Sequence, residues 1–95
     1  MNVGGYAAQA LASYKELGLE VSCVIASYLP DDAARAAAAQ AFSQWPAALK
    51  LLDPAMADNG RLYKGMEEAV APVRELAAHA DLVLPNLTEA CLLLD

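Results

Sequence analysis

The chain has 95 residues, of which 58% are hydrophobic and 19% charged, and its formal net charge is −6. This composition is too apolar for a disordered segment, and the length allows one small domain. Twelve acidic residues against six basic ones, with no basic cluster, exclude the positive patch that binding to nucleic acid or to an anionic membrane requires.

The first half of the chain predicts a helix, a strand and a second helix. Apolar residues recur at three- and four-residue steps over residues 6–17, and Gly18 follows where a left-handed C-terminal cap belongs. Residues 21–26 form a short apolar run rich in β-branched side chains, which is typical of a parallel strand covered on both faces. Pro30 and the two aspartates after it favour the start of a second helix, which Pro46 ends.

The next segment predicts a second strand, a polar loop and a third helix. Residues 48–52 are an apolar run, and the loop over residues 56–64 contains an Asn-Gly turn dipeptide. Helical spacing continues over residues 66–79, although Pro72 removes a backbone donor and clashes one turn back. The sequence leaves open whether this helix starts near Ala71 or is kinked.

The chain closes with a third strand and a fourth helix. The strand covers residues 82–84, and we expect Thr88 to cap a final helix that runs to the chain terminus. The resulting order, α-β-α-β-α-β-α, is the rhythm of a parallel sheet with helices packed on it. Three strands leave both sheet edges open, which is a liability unless a partner covers them. One hypothesis is therefore a non-catalytic module that oligomerises through these edges and apolar faces.

Targeting signals and cysteines indicate the compartment. No stretch approaches the roughly 18 apolar residues of a membrane span, and the N-terminus lacks the basic and apolar regions of a signal peptide. Cys23 and Cys91 stand far apart, without the spacing of a metal site. We therefore expect reduced thiols in a cytoplasmic protein that has no membrane partner.

Acidic and amide side chains follow the predicted strands at the ends where α/β proteins bind ligands. Asp53 and Asp58 come after the second strand, and Glu89 comes after the third. Carboxylates at neighbouring strand ends suit magnesium carried in by a nucleotide, while Asn86 and the start of the final helix suit phosphate oxygens. The alternative is that Asp53 is an ordinary loop acid and that Thr88 and Glu89 only cap the helix.

Two sequence blocks carry a family resemblance. Residues 53–63 read DPAMADNGRLY and residues 80–94 read ADLVLPNLTEACLLL. They resemble the DPVMGD-x-G-x-x-Y and AD-x-x-TPN-x-x-EA blocks of the pyridoxal/pyridoxamine kinase family, in the ribokinase-like superfamily, and the upstream KELGLEVSCVIASYL is similar too. The resemblance implies a three-layer α/β fold with a Rossmann-like parallel sheet, truncated at both ends, so that residues 1–95 are one partial kinase domain.

The resemblance also implies an activity. Kinases of this family use ATP and Mg²⁺ to phosphorylate the 5′-hydroxymethyl group of pyridoxal, pyridoxamine or pyridoxine, so a B6 vitamer and ATP are the expected partners. The sister family of hydroxymethylpyrimidine kinases shares part of both blocks and remains the alternative, but residues 60–63 favour vitamin B6. A monovalent cation and a homo-oligomeric state stay open.

Site residues are carried over from the matching motif positions. The resemblance places Asp53 near the cation and Asp58 opposite the ATP phosphates and their magnesium. It implies that Asn86 contacts a phosphate and that Glu89 organises the cation through water. Tyr63 matches the tyrosine that borders the B6 ring.

Departures from the family pattern limit what this chain is expected to do alone. Ala57 stands where the family has glycine, and Leu84 stands where it usually has threonine. The family's glycine-rich anion hole and catalytic-base aspartate have no counterpart among these residues, so no catalytic residue is assigned. We expect a central fragment of a kinase that does not turn over substrate by itself.

Overall fold

The structure is a computed structural model and describes residues 3–94, leaving Met1, Asn2 and Asp95 outside. Its elements in chain order are α1 (Val3–Glu16), β1 (Cys23–Ser27), α2 (Asp32–Gln44), β2 (Leu49–Asp53), β3 (Ala57–Asp58), β4 (Arg61–Leu62), α3 (Val70–Ala78), β5 (Leu82–Val83) and α4 (Leu87–Leu94). The four predicted helices and three predicted strands are all present. The predicted extension of the last helix to the terminus falls on Asp95, outside the described residues.

A three-stranded parallel sheet with the order β1-β2-β5 forms the centre. Cys23 pairs with Leu49 and Ser27 with Asp53 along β1 and β2, and Leu51 pairs with Leu82 between β2 and β5. The α/β class with a parallel sheet and flanking helices is therefore confirmed. All three strands run the same way, so their carboxyl ends meet at one edge of the sheet.

Local signals explain where the helices begin and end. The Asp31 side chain accepts a hydrogen bond from the backbone N–H of Ala34 at 2.8 Å, which caps α2. Gly18 has φ +70° just after α1, as its predicted role requires. Because α3 begins at Val70, Pro72 lies in its first turn, where a missing N–H costs little. The helix therefore starts close to Ala71 and does not run from residue 66.

The core lies between one face of the sheet and the helices. Val24, Ala26, Leu52 and Val83 pack into a cluster with side chains of α2, α3 and α4. The alternate strand positions point away from this cluster, because successive strand side chains face opposite sides.

Among the described residues, these alternate positions remain uncovered. Ile25 is 69% exposed, and Leu49 and Leu82 are each about half exposed. The expectation of strands covered on both faces is therefore met on one face only within residues 3–94, and the molecule measures 43 × 30 × 15 Å. No helix in this range has the length and apolarity needed to cross a bilayer.

The predicted polar loop over residues 56–64 contains a β-hairpin instead. Strands β3 and β4 pair antiparallel, with Ala57 opposite Leu62 and Asp58 opposite Arg61. Asn59 and Gly60 between them have φ +52° and +78°. Positive φ at both central residues matches the twist of a two-residue hairpin, and Asn-Gly is the preferred sequence for it. The turn was predicted, but the short strands on either side were not.

Candidate functional site

The carboxyl ends of β1 and β2 place Ser27 beside Asp53. Leu52 is fully buried in the core, so the next residue, Asp53, points to the opposite face of the sheet. Its carboxylate is half-buried and accepts no hydrogen bond from the described residues. Asp53 is therefore available to solvent or a ligand, but on the face that lies away from α3 and α4.

Glu89 binds the segment between β2 and β3 to the start of α4. Its side chain is 2% exposed. One carboxylate oxygen, Oε2, accepts the backbone N–H groups of Met56 at 2.7 Å and Ala57 at 3.2 Å. The other oxygen, Oε1, accepts the N–H of Asn86 at 3.0 Å. Backbone donors from two separated segments thus satisfy one buried carboxylate, as a buried acid requires.

Asn86 is the cap of α4. Its Oδ1 accepts the N–H of Glu89 at 2.9 Å, and the Glu89 side chain returns a bond to the Asn86 N–H. This reciprocal pair is a capping box, and the expectation that Thr88 caps the helix is wrong. Asn86 Nδ2 also donates to the carbonyl of Ala57 at 2.7 Å.

Thr88 has a different structural role: its hydroxyl accepts a hydrogen bond from the backbone N–H of Gly60 at 2.8 Å. This bond joins the tip of the β3–β4 hairpin to the first turn of α4. Together with the bonds of Asn86 and Glu89, it fixes the hairpin against the helix. We call this set of contacts between residues 56–60 and residues 86–89 the hairpin–helix clasp.

Asp58 and Arg61 project from the outer side of the hairpin. They are directly opposed in the β3–β4 register, while their neighbours Ala57 and Leu62 face the core cluster. Asp58 is exposed, and one of its oxygens, Oδ1, accepts the N–H of Asn59 at 2.9 Å. The second carboxylate oxygen, Oδ2, accepts no hydrogen bond from the described part of the chain.

The three acids expected to share a cation do not form one metal-binding group. Within residues 3–94, no group of three or more His, Cys, Asp or Glu side chains could hold a metal ion. Asp53 points to the outer face of the sheet, Asp58 to the outer side of the hairpin, and Glu89 into the interior, where backbone N–H groups occupy both of its oxygens. The sequence-based expectation that these three acids share one cation is therefore corrected.

The donor chemistry still fits a nucleotide-borne magnesium ion. Magnesium usually takes only one or two protein carboxylates and retains several waters. Asp58 offers an exposed carboxylate with a free oxygen, and Asp53 offers a second, separate one. Carboxylate oxygens suit Mg²⁺, which can complete its coordination with water in place of further protein ligands.

Two sequence departures have clear structural outcomes. Ala57 does not adopt positive φ, and its side chain is fully buried in β3, so alanine fits where the family has glycine. Positive φ occurs two residues earlier instead, at Ala55, with φ +45°. Leu84 is 57% exposed beyond β5, and its N–H donates to the carbonyl of Leu52 at 2.9 Å.

Tyr63 follows the hairpin at its base. Its backbone N–H donates to the carbonyl of Met56 at 2.8 Å, and its ring is 45% exposed. An open groove of about 770 Å³ lies along α4 beside the clasp, and its lining includes Gly60, Thr88 and Cys91. The groove adjoins the tip of the hairpin and the start of α4, while Tyr63 and Asp58 lie outside its lining.

A second groove of about 680 Å³ lies between α2 and α3, with Phe42, Pro72 and His79 in its lining. None of the expected site residues lines it. The candidate site is therefore the clasp and not this second groove.

Solved structures of small-molecule kinases match the chain. A "putative phosphomethylpyrimidine kinase" from Bacteroides thetaiotaomicron gives a TM-score of 0.92 at 30% identity, covering 100% of this chain and 34% of that chain. Pyridoxal kinase from Lactobacillus plantarum gives 0.89 at 30% identity, covering 98% and 34%. An orthorhombic form of the Bacteroides protein with pyridoxal gives 0.83 at 32% identity, covering 92% and 32%. No protein-family model and no curated protein matches the chain, which spans about a third of the length of the kinases it resembles.

Proposed function

Because the chain belongs to the ribokinase-like kinases and spans about a third of such an enzyme, we propose that it is the part of an ATP-dependent kinase that receives the triphosphate of the nucleotide. The observation that carries this proposal is the match of the whole chain, at 30% identity, to a kinase structure. The hairpin–helix clasp supports it, because it holds polar groups at the strand ends where α/β proteins bind ligands.

The proposed acceptor is the 5′-hydroxymethyl group of a vitamin B6 vitamer. One matching structure is a pyridoxal kinase. The Bacteroides protein is named for a pyrimidine substrate, yet one of its crystal forms contains pyridoxal. The half-exposed ring of Tyr63 offers an aromatic surface to such a ring. Hydroxymethylpyrimidine is the second candidate acceptor, on the strength of that name.

Asp58 and Asn86 are proposed to hold the nucleotide. Asp58 presents its free carboxylate oxygen to the magnesium of the nucleotide, whereas Asp53 lies on the opposite face of the sheet and has no role in this proposal. Asn86 has one side-chain N–H beyond the one given to Ala57, and that hydrogen is available to a phosphate oxygen. Bound magnesium would neutralise charge on the transferred phosphoryl group, and these residues would orient it.

Glu89 is proposed to hold Asp58 and Asn86 in position without contacting the nucleotide. Its carboxylate fixes the backbone of Met56 and Ala57 and the cap residue Asn86. The side chain thereby holds the hairpin that carries Asp58, which is a positioning role. Any effect on the cation is indirect, because both carboxylate oxygens already accept backbone N–H groups.

A chimeric kinase tests the proposal. The segment of the Lactobacillus enzyme that matches this chain is replaced by residues 1–95, and phosphorylation of pyridoxal and of hydroxymethylpyrimidine is measured with Mg·ATP. Transfer to pyridoxal supports the B6 proposal, and transfer only to the pyrimidine selects the second candidate. A folded chimera that transfers phosphate to neither acceptor contradicts the kinase assignment.

A further inference from the structure

Thr88 makes a contact that α4 itself does not need. The capping box is complete without this residue, yet its hydroxyl accepts the backbone N–H of Gly60 at 2.8 Å, across 28 positions of sequence. We infer that Thr88 is a positioning residue, which holds the carboxylate of Asp58 where it can bind the magnesium ion of the nucleotide. This inference rests on the proposed function, and it adds a residue that falls on an unspecified position of the family blocks.

The turn of the hairpin has two backbone N–H groups that strand pairing cannot satisfy. Because the β3–β4 pairing ends at residues 58 and 61, the N–H groups of Asn59 and Gly60 have no partner strand. The Oδ1 atom of Asp58 accepts the first N–H at 2.9 Å, and the hydroxyl of Thr88 accepts the second. The Asp58 carboxylate is therefore bonded to one central residue of the turn, and α4 is bonded to the other.

Asp58 lies between two attachments of the hairpin to α4. The hydrogen bonds of Ala57 to α4 fix the residue before it. The Thr88 hydroxyl fixes Gly60, two residues after it, and no other hydrogen bond joins residues 58–61 to α4 in the described part of the chain. Magnesium requires nearly octahedral geometry with oxygen ligands at about 2.0–2.1 Å, so a carboxylate on a loosened turn binds it less well.

The position of the Thr88 bond separates this role from a role in the stability of the fold. Residues 58–61 are exposed and Thr88 is half-buried. When the hydroxyl is removed, water can therefore satisfy the N–H of Gly60, which avoids the penalty of an unsatisfied buried donor. The sheet and the core do not depend on this bond, whereas the placement of the hairpin tip does.

Binding of Mg·ATP to the 95-residue chain, measured by isothermal titration calorimetry, tests the inference. Thr88→Val keeps the shape of the side chain without the hydroxyl, and Thr88→Ser keeps the hydroxyl. Ser13→Ala removes a hydroxyl from an exposed position of α1 and is the matched control. Thr88→Val is also combined with Asp58→Asn, because the two effects should not add if Thr88 acts through that carboxylate. Urea unfolding checks the fold of each variant, and faster hydrogen exchange at Gly60 verifies that the bond is lost.

Thr88→Val is expected to weaken binding of Mg·ATP about fivefold and to leave binding of magnesium-free ATP within about twofold of wild type. Thr88→Ser and Ser13→Ala should both stay within about twofold for Mg·ATP, and Thr88→Val should have no further effect in the Asp58→Asn chain.

Two results would overturn the inference and leave the proposed function intact. One is a Thr88→Val chain that binds Mg·ATP as wild type does. The other is a loss of affinity that is equal with and without the Asp58 carboxylate. A folded wild-type chain that binds no Mg·ATP would contradict the proposed function itself, and the role of Thr88 with it.

Discussion

The side-chain amide of Asn86 donates to the carbonyl of Ala57 at 2.7 Å, across 29 positions of sequence. In return, Glu89 accepts the N–H of the same Ala57, so both backbone polar groups of one buried residue bond to the start of α4. The hairpin has only two residues in each strand and would not persist alone. Its position therefore depends on the clasp.

The first prediction concerns the buried carboxylate of the clasp. Glu89→Gln keeps the shape of the side chain but turns one acceptor oxygen into a donor that faces backbone N–H groups. We expect the free energy of unfolding to fall by about 1–3 kcal/mol, the range for a buried polar group left unsatisfied. Urea denaturation measures the change, and Glu75→Gln on the exposed side of α3 is the matched control. Equal stability of the two variants would show that the clasp does not hold the fold.

A second prediction compares two alanines of the same segment. Ala57→Gly should destabilise by about 1–2 kcal/mol, because it removes a buried methyl group from a strand residue with ordinary φ. Ala55→Gly should stabilise by about 0.5–1 kcal/mol, because it relieves φ +45°. Thermal or urea unfolding of both variants shows whether each substitution lowers or raises the free energy of unfolding. Stabilisation by glycine at position 57 would mean that the family's glycine conformation is needed there after all.

The hairpin turn gives a third prediction. Gly60 has φ +78° and open space around its missing Cβ, so Gly60→Ala has a conformational cost and no steric one. We expect a loss of about 1–2 kcal/mol in the free energy of unfolding. Gly60→Asn should lose less, since asparagine tolerates this region of φ. The expectation fails if alanine and asparagine at this position leave the same stability.

A fourth prediction concerns catalysis by the chimeric kinase. Asp58→Asn should lower kcat at least tenfold while the KM for pyridoxal changes little. The lost charge acts on the magnesium and the moving phosphoryl group, not on the vitamer. Steady-state kinetics measure both constants, and Glu20→Gln, at an exposed position between α1 and β1, controls for a charge change outside the site. Unchanged kcat would remove Asp58 from the site.

The sequence predicts the parallel sheet and the four helices because their signals are local. Apolar runs mark the strands, and Gly18, Asp31 and Pro46 mark helix ends. The start of α3 was open in the sequence because Pro72 fits both a first turn and a kink. The structure places Val70 at the first helical position, with Val73 and Leu76 buried.

The candidate site could be predicted in part. Its residues do lie around one edge of the sheet. Because side chains alternate along a strand, however, Asp53 points to the opposite face. Both carboxylate oxygens of Glu89 accept backbone N–H groups in the capping box and the clasp, so they are not available to a cation. An Asn-x-x-Glu pattern ahead of an apolar run is a capping-box signal, so the role of Asn86 was available from the sequence.

The most direct test follows the backbone amide resonances of the 95-residue chain while Mg·ATP is added. The account predicts magnesium-dependent shifts concentrated at residues 58–61 and 86–89, which weaken when Asp58 is changed to asparagine. Shifts confined to the groove between α2 and α3, or shifts at the hairpin that are the same without magnesium, would contradict it.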